Sequence, residues 1–536
     1  MCSRYAFEKK GSLLCRQELH MYQKEKRQIV NIVNFVRGCE PRLPIDLTEA
    51  VLRQIELMKK LGLKGTFLLQ YDALIDPVFV DIFKALDDSQ FEFGVWQEVV
   101  EPQCQSCGIP WHGRWPWDWH VHCGFPHGYT EHQRKQLADA LFEKFKEVFG
   151  YYPRVFGSWL LDTHTVNYVN QTYGVDAFCD CKEQYGTDGY TLWGGYYAQG
   201  YYPSTNNVFF PAQTQQAQVN APLFRMLGSD QVYQFDRGMN IDDDTTQVQT
   251  VITLEPVYTG EGGGGEPKWV DWYLKENFNG ECLSFGYTQA GQENSFGWPR
   301  MADGLTYQFE RFAQLQKEGK LTVEPLGETG RWFKKTYALT PASTVTAHTT
   351  WDERDKKSVW FNSRKYRINL FSDENGVRIR DLHLFDESVR DPYNETVCEK
   401  NEAIYETLPV ADGNRFSGNG ILSGIFLMEK GQTLHGDYTF RETDSGVQIR
   451  FGDYTFCLNE TGFSVENSTG REFVLENRVG SRICYPEILS TEAQKQTLRY
   501  AIGQIKYSYD LCLREGKFLQ AETVTSENGK ISVYFP

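Results

Sequence analysis

The feature that most constrains the fold of this chain is a repeated pattern in about its first 340 residues. In each repeat an apolar, β-branched segment is followed by a polar turn and then by a helix with apolar residues at i, i+3 and i+4. Alternating strands and helices imply a parallel sheet with helices outside it. About seven or eight repeats, with no Gly-x-Gly-x-x-Gly turn opening a helix, favour a (β/α)7-8 barrel over a doubly wound sheet.

The elements can be placed along the chain from this pattern. The predicted strands are Ile29–Val36, Gly65–Gln70, Phe91–Val99, Val155–Leu160, Asp176–Cys181, Val251–Val257 and Cys282–Tyr287. The predicted helices are Leu47–Leu61, Pro77–Leu86, Glu131–Phe149, Thr163–Tyr173, Trp269–Phe278 and Leu305–Gly319.

The pattern changes after about Tyr337. Segments such as GVRIRDLHLF and GVQIRFGDYTFCLNE are short, alternate between apolar and polar residues, and are separated by Asn, Asp and Gly turns. This pattern is typical of an antiparallel β-sandwich. We therefore predict a barrel domain over residues 1–338 and a C-terminal antiparallel β-sandwich domain over residues 339–536.

Composition limits the classes of partner. The net charge is −16, with 55 Lys and Arg against 71 Asp and Glu, which argues against nucleic acid or an anionic membrane as a partner. No stretch approaches the roughly twenty apolar residues that span a bilayer, and the N-terminal residues show no signal-peptide core. The 13 cysteines follow no regular spacing, which fits free thiols in a reducing compartment. These features predict a cytoplasmic protein.

The segment 178–204 combines acids with aromatic rings. It holds Asp180, Glu183 and Asp188 together with six tyrosines and Trp193. Carboxylates can transfer protons and contact hydroxyl groups, and rings can stack on the faces of a pyranose. The pattern favours a sugar-binding cleft; the alternative is a tyrosine-rich surface loop.

Several motifs resemble a known superfamily. They are IVNFVRGCEPR, TEAVLRQIELMKKLGL, KGTFLL, FEFGVWQE, GYYPRVFGSWLLD and YGVDAFCD, in that order. Over residues 25–335 they resemble the (β/α)7-barrel superfamily that unites polysaccharide deacetylases with several glycoside hydrolase families. The resemblance is closest to an uncharacterised branch of glycoside hydrolases that carry a C-terminal β-domain, and it implies a carbohydrate substrate.

The metal site of the deacetylases has no counterpart in the motifs. In those relatives an Asp pair at a strand end and a His-x-x-x-His motif hold the metal. Here the first strand runs into Arg37, Gly38, Cys39 and Glu40, and the third ends in Gln97-Glu98. The departure favours glycosidase chemistry without a metal or other cofactor. Metal-dependent sugar deacetylation and non-catalytic carbohydrate binding are the alternative functions.

Acids that follow the strands are the candidates for catalysis, because the active site of such a barrel lies at the carboxyl ends of its strands. They are Glu40, Glu98, Glu101, Asp162, Asp180, Asp188, Glu255 and Glu293. Asp162 could instead cap the helix that begins at Thr163. We predict Asp188 and Glu293 as the catalytic pair. The residues predicted to contact substrate are Arg37, Glu40, Glu98, Trp119, His120, His122, Asp162, Trp193, Tyr196, Glu255, Gln292 and Asn294.

A cluster of potential metal ligands lies in CQSCGIPWHGRWPWDWHVHC. It contains Cys104, Cys107, His112, His120, His122 and Cys123. The cluster could hold a structural zinc ion or a catalytic metal, but its spacing matches no zinc-finger pattern. We predict a metal-free, aromatic loop whose tryptophans, including Trp117 and Trp119, stack on sugar together with Trp193 and Tyr196.

Overall fold

The computed structural model describes residues 26–234, 251–260 and 262–536. In the described part of the barrel region there are eleven strands: β1 (Gln28–Val36), β2 (Gly65–Leu69), β3 (Phe91–Trp96), β4 (Val155–Gly157), β5 (Ala177–Asp180), β6 (Gln184–Thr187), β7 (Tyr190–Trp193), β8 (Gly200–Tyr201), β9 (Leu223–Arg225), β10 (Gly286–Ala290) and β11 (Thr322–Val323). Its helices are α1 (Leu47–Leu61), α2 (Tyr71–Ile75), α3 (Pro77–Lys84), α4 (Glu101–Ser106), α5 (Val121–Gly124), α6 (Glu131–Phe149), α7 (Thr163–Tyr173), α8 (Pro267–Asn277), α9 (Trp298–Lys317) and α10 (Leu326–Thr336).

Seven parallel strands form a nearly closed barrel. Their order is β10-β1-β2-β3-β4-β5-β9, and β8 adds to β9 in the antiparallel sense. Beyond the two ends of this path, the Gly228 N–H donates to the Gln289 carbonyl at 3.2 Å. The predicted (β/α) barrel is confirmed.

Local signals explain why the helices begin and end where they do. The Asp46 side chain caps α1 by accepting from the backbone N–H groups of Thr48 and Glu49, and Gly62 ends that helix at φ 65°. Thr130 and Gln133 form a capping box at the start of α6. These helices cover the outside of the sheet with their apolar sides, which fixes the loops that surround the barrel mouth.

The sequence pattern predicted the last strands of the barrel region less accurately than the first ones. Residues 251–257 form no strand and make only one isolated bridge, between Ser229 and Thr253. The last long barrel strand is Gly286–Ala290 rather than Cys282–Tyr287. Strand β9 was missed because it has only three residues and is fixed by pairing with β5, where Leu223 lies opposite Phe178.

The C-terminal region consists of antiparallel sheets, as predicted. Its strands are β12 (Ser343–Ala347), β13 (Lys357–Asn362), β14 (Tyr366–Asp373), β15 (Gly376–Leu384), β16 (Ala403–Glu406), β17 (Leu408–Asp412), β18 (Gly424–Glu429), β19 (Gln432–Thr433), β20 (Tyr438–Thr443), β21 (Gly446–Phe451), β22 (Tyr454–Asn459), β23 (Gly462–Asn467), β24 (Val474–Arg478), β25 (Glu487–Thr491), β26 (Lys495–Ile502), β27 (Ile505–Glu515), β28 (Lys517–Gln520), β29 (Thr523–Thr525) and β30 (Lys530–Tyr534).

Two large sheets make up the sandwich. One has ten strands along the path β12-β13-β14-β15-β18-β24-β29-β28, with β17 and β19 attached to it; the other has eight, in the order β20-β21-β22-β23-β30-β27-β26-β25. Tyr366 joins them, since its ring lies 4.8 Å from that of Phe535 and its hydroxyl donates to the Gly462 carbonyl. The division of the chain at residue 338 stays a prediction.

One strand from the C-terminal region pairs with the barrel region. Strand β16 runs parallel to β7, with Ala403 opposite Tyr190 and Glu406 opposite Trp193. Together with β6 these strands form a small third sheet. The β6–β7 hairpin belongs to the barrel region, but a strand from the C-terminal region pairs with it across the predicted domain boundary. No helix in the described part of the chain is long and apolar enough to cross a bilayer.

Trp193 lies inside this junction, which corrects the prediction that it stacks on sugar. Its side chain is fully buried among Tyr197, Val345 and Trp360, and its indole N–H donates to Asp412 at 2.7 Å. Tyr196 is also buried, with its hydroxyl on the Pro341 carbonyl. Neither ring lines the cavity described below.

Replacing Trp193 by alanine is therefore expected to destabilise the fold. Removing a fully buried indole costs about 3–5 kcal/mol of unfolding free energy, because the cavity it leaves collapses only in part. Urea unfolding followed by circular dichroism measures this loss. Trp119→Ala is the matched control: this ring is only partly buried, so a loss of about 1 kcal/mol is expected. Equal midpoints for Trp193→Ala and the wild type would contradict the assigned burial.

Candidate active site

A cavity of about 460 Å³ opens at the carboxyl ends of the barrel strands. Arg37 follows β1, Glu98 follows β3, Lys182 follows β5 and Glu293 follows β10. The lining residues are Arg37, Arg42, Leu43, Glu98, Trp117, Trp119, Phe125, Trp159, Lys182, Gln184, Thr187, Asp188, Tyr190, Glu255, Val257, Tyr258, Glu293, Ser295, Phe296 and Arg300. The cavity brings together four carboxyl groups, four basic side chains and several aromatic rings.

Arg37 is the centre of the buried charges. Its Nε and Nη2 donate to the two oxygens of Glu98 at 2.8 and 2.9 Å, and its Nη1 donates to Glu293 Oε1 at 2.7 Å. The guanidinium carbon lies 4.1 Å from the ring centroid of Trp117. A single guanidinium thus holds two buried carboxylates, which burial alone would disfavour as charged groups.

Asn294 fixes the backbone of Arg37. Its side chain accepts from the Arg37 N–H and donates to the Arg37 carbonyl, both at 2.9 Å. Gln292 plays a similar part for the neighbouring acids, because it donates to Glu255 at 3.3 Å and accepts from the Glu293 N–H at 2.8 Å. Both amides were predicted to contact substrate; the structure places them behind the cavity wall as supports.

Glu293 is buried and surrounded by donors. Besides Arg37, the Ser295 hydroxyl donates to its Oε1 at 2.6 Å and the Trp159 indole N–H to its Oε2 at 3.1 Å. A carboxyl group that receives only donors is stabilised in its charged form. Glu293 therefore offers a fixed anion to the cavity.

Glu98 is the second partner of Arg37. It also accepts from the Trp96 indole N–H at 2.8 Å. Burial raises the pKa of Glu98 to about 7; the charge of Arg37 opposes this shift and that of Glu293 adds to it. The bond from Trp96 fixes the Glu98 carboxylate, and that carboxylate in turn orients Arg37. We therefore assign Glu98 the role of positioning Arg37.

Asp188 lies at the tip of the β6–β7 hairpin, with φ 55°. Although the residue is exposed, the surrounding walls partly desolvate its carboxyl, which raises its pKa, and the charge of Glu293 raises the pKa further. Among the described residues its side chain has no hydrogen-bond or ion-pair partner. The tip is held by β16, since the Ala403 N–H donates to the Gly189 carbonyl at 2.9 Å. Asp188 and Glu293 thus line one cavity in contrasting environments.

Lys182 and Glu255 form an ion pair on the same cavity wall. The ammonium group also lies 5.5 Å from the ring centroid of Tyr258. The next residue, Glu183, accepts from Arg367 of β14 at 2.6 Å, so the C-terminal region also fixes this loop. Lys182, Trp159 and Ser295 were not predicted. Their positions near the ends of strands were a usable signal, but mainly acids were singled out at those positions.

Four other predicted residues do not line the cavity. Asp162 caps α7 by accepting from the Thr165 N–H and pairs with Arg134 at 3.1 Å. Glu40 pairs with Arg42 at 2.6 Å, and His120 bonds to Asp118 at 2.6 Å. His122 also stands outside the lining. The ion pair between Glu40 and Arg42 is positioned to stabilise the edge of the cavity, where Arg42 is part of the lining.

The Cys and His side chains of segment 104–123 do not bring three potential ligand atoms within 4.8 Å of one another. Cys104 is buried and donates to the Tyr129 hydroxyl, and His112 stacks on the same ring at 4.9 Å. In the described part of the chain, only Asp381, His383 and Asp412 bring three potential ligand atoms within 4.8 Å of one another. That buried group already serves as an ionic junction, because Arg367 donates to both oxygens of Asp381.

Arg37 should matter for stability as well as for the site. With Arg37→Gln, Glu98 and Glu293 lose their shared counterion, which costs about 3–5 kcal/mol of unfolding free energy when both are charged. Without that cation the pKa of Glu98, which burial already raises, rises further in the folded state. The folded protein then binds more protons than the unfolded chain, so stability is retained below the unfolded pKa near 4.3 and is lost as pH rises through the folded pKa.

Urea unfolding at pH 5 and pH 8 measures the effect. We expect the deficit of Arg37→Gln relative to the wild type to be larger at pH 8. Arg53→Gln, on the exposed side of α1, is the control and should show no such difference. A deficit that is equal at both pH values would contradict the role of Arg37 as counterion.

Comparisons with known proteins bear on the fold. A scan against protein-family models and a search of curated proteins gave no match. Among solved structures, the chain is similar to a "putative glycoside hydrolase/deacetylase" from Parabacteroides distasonis, with a TM-score of 0.56 and 15% identity over 72% of this chain and 91% of that one.

Two further structures match less well. A GH57-type branching enzyme from Pyrococcus horikoshii gives a TM-score of 0.31 and 10% identity over 58% of this chain and 70% of that one. The alpha-amylase AmyC from Thermotoga maritima gives 0.30 and 10% over 61% and 77%.

The chain has a nearly closed barrel of seven parallel strands with helices outside it, followed by an antiparallel β-sandwich. In particular, it shares its fold with the Parabacteroides distasonis protein. The predicted resemblance is thereby confirmed for the fold.

Proposed function

We propose that this chain is a glycoside hydrolase in which Asp188 is the general acid and Glu293 is the nucleophile or general base. One observation carries the proposal: two carboxyl groups line the same cavity at the carboxyl ends of the barrel strands, Asp188 with a raised pKa and Glu293 held by three hydrogen-bond donors. Glycoside hydrolysis needs such a pair, with a protonated acid for the leaving oxygen and an anion for the sugar carbon or its attacking water.

The rest of the cavity is compatible with this chemistry. Trp119, Tyr258 and Phe296 supply aromatic surface for a sugar ring. Arg37, Ser295 and Trp159 keep Glu293 charged, so that it can stabilise an oxocarbenium-like transition state. No further group is required for the proton transfers.

Metal-dependent deacetylation fits the residues less well. No histidine lines the cavity within the described ranges, and three of its four carboxyl groups are engaged by Arg37 and Lys182. The residues present do not provide the Asp and His ligand set of the deacetylases, so we derive no step through a metal.

A substrate panel tests the proposal. Aryl glycosides of both anomers, covering neutral and acidic sugars, are incubated with the purified protein, and release of the phenol is followed. Acetylated sugars are assayed in parallel for acetate release. We expect phenol release from at least one glycoside. Acetate release with no glycoside cleaved would refute the proposal.

A further inference from the structure

The cavity concentrates positive charge in a chain that is strongly acidic. The whole sequence carries a net charge of −16, but the cavity lining carries Arg37, Arg42, Lys182 and Arg300 beside four carboxyl groups. An acidic protein repels anions from most of its surface. In the cavity lining, the four basic groups offset the four carboxyl groups.

Three of these four basic groups already have carboxylate partners. Arg37 binds Glu98 and Glu293, Lys182 binds Glu255, and Arg42 binds Glu40. The positive charges of these three side chains are neutralised by the carboxylates with which they pair. They therefore provide little net attraction for a ligand.

Arg300 differs from the other three. Within residues 26–234, 251–260 and 262–536 it has no carboxylate at ion-pair distance, and it is exposed. Its guanidinium carbon lies 5.0 Å from the ring centroid of Phe296, which also lines the cavity. The ring fixes one face of the guanidinium, while the N–H groups at its edge stay available.

An arginine with a free edge beside an aromatic ring is suited to a sugar that carries a carboxylate. The planar fork of N–H groups matches the two carboxylate oxygens, and the ring can pack against the apolar face of the sugar. A neutral sugar has no carboxylate with which the Arg300 guanidinium could pair. We propose, building on the glycoside hydrolase function above, that the substrate carries a carboxylate-bearing sugar such as a hexuronic acid, and that Arg300 binds this carboxylate.

Matched pairs of substrates test the proposal. 4-Nitrophenyl glucuronide is compared with the glucoside, and the galacturonide with the galactoside, in both anomeric forms. We expect the wild type to have a higher kcat/KM for one uronide than for its neutral partner. Arg300→Gln should reduce that ratio by roughly 10- to 100-fold, the effect of losing charge-assisted hydrogen bonds, mainly through KM of the uronide.

Two controls separate binding by Arg300 from general charge effects. Arg53→Gln removes the same charge from the exposed side of α1 and should leave the ratio unchanged. Arg300→Lys, which keeps the charge but not the fork, should recover part of the ratio. Because Arg300 is exposed, added salt should lower the wild-type ratio and have little effect on that of Arg300→Gln.

The outcomes distinguish this proposal from the one on which it rests. Cleavage of a neutral glycoside at least as well as its matched uronide would overturn the acidic specificity and leave the hydrolase function in place. A uronide preference that survives in Arg300→Gln would overturn the role of Arg300. Absence of cleavage with every glycoside would overturn the hydrolase function itself.

Discussion

Replacing Glu293 by glutamine is expected to lower turnover by at least about 100-fold on any glycoside that the wild type cleaves. Glutamine keeps the size of the side chain but removes the charge that a developing oxocarbenium ion needs. Its amide N–H₂ would also face either Arg37 or Trp159, each of which is a donor. Steady-state kinetics on a single glycoside measures the loss.

Glu324→Gln provides the matched control for this change. Glu324 is a buried glutamate that pairs with Arg27, next to the start of β1 and therefore at the opposite end of the barrel. Its substitution should leave turnover within a few-fold of the wild type, even if it lowers stability. Near-normal turnover in Glu293→Gln would contradict the assignment, and the anion would have to be sought at Glu98 or Glu255.

Replacing Asp188 by asparagine should remove the alkaline limb of the pH profile. A general acid is active only while protonated, so the rate falls as pH rises through its pKa. Burial and the charge of Glu293 place the pKa of Asp188 above the ordinary value for aspartate, near 3.9. Asparagine tolerates the left-handed backbone at this position, which preserves the hairpin tip.

The profile of kcat against pH checks this second prediction. The wild type should give a bell-shaped curve, and Asp188→Asn a lower curve without the alkaline limb. Asp81→Asn, on the exposed side of α3, is the control and should reproduce the wild-type curve. An unchanged alkaline limb in Asp188→Asn would assign that limb to another group.

The fold was largely predictable because its signals are local. Apolar strands, amphipathic helices and caps such as Asp46 and Gly62 recur along the chain. The rule that barrel sites lie after the strands then pointed to Arg37, Glu98 and Glu293. In the structure Arg37 contacts both Glu98 and Glu293.

Two errors in the predicted site have different origins, one distant and one local in the chain. Trp193 lies in a glycine-broken segment that reads as a loop, but β16 pairs with it from more than 200 residues away. Asp162 follows a strand as a catalytic acid would, yet its bonds to Thr165 and Arg134 make it a helix cap. The local pattern does not reveal the burial of Trp193, because β16 comes from the C-terminal region, whereas the helix cap at Asp162 is a local signal.

The most direct test of the central claim is how the effect of Asp188→Asn depends on the leaving group. The test uses one sugar, the best found in the panel, linked to alkyl, 4-nitrophenyl and 2,4-dinitrophenyl groups. A departing alkoxide needs a proton, whereas dinitrophenolate leaves without one. If Asp188 is the general acid, the variant should lose at least about 100-fold on the alkyl glycoside and little on the dinitrophenyl glycoside. An equal loss on all three would show that Asp188 does not protonate the leaving oxygen and would contradict the proposed mechanism.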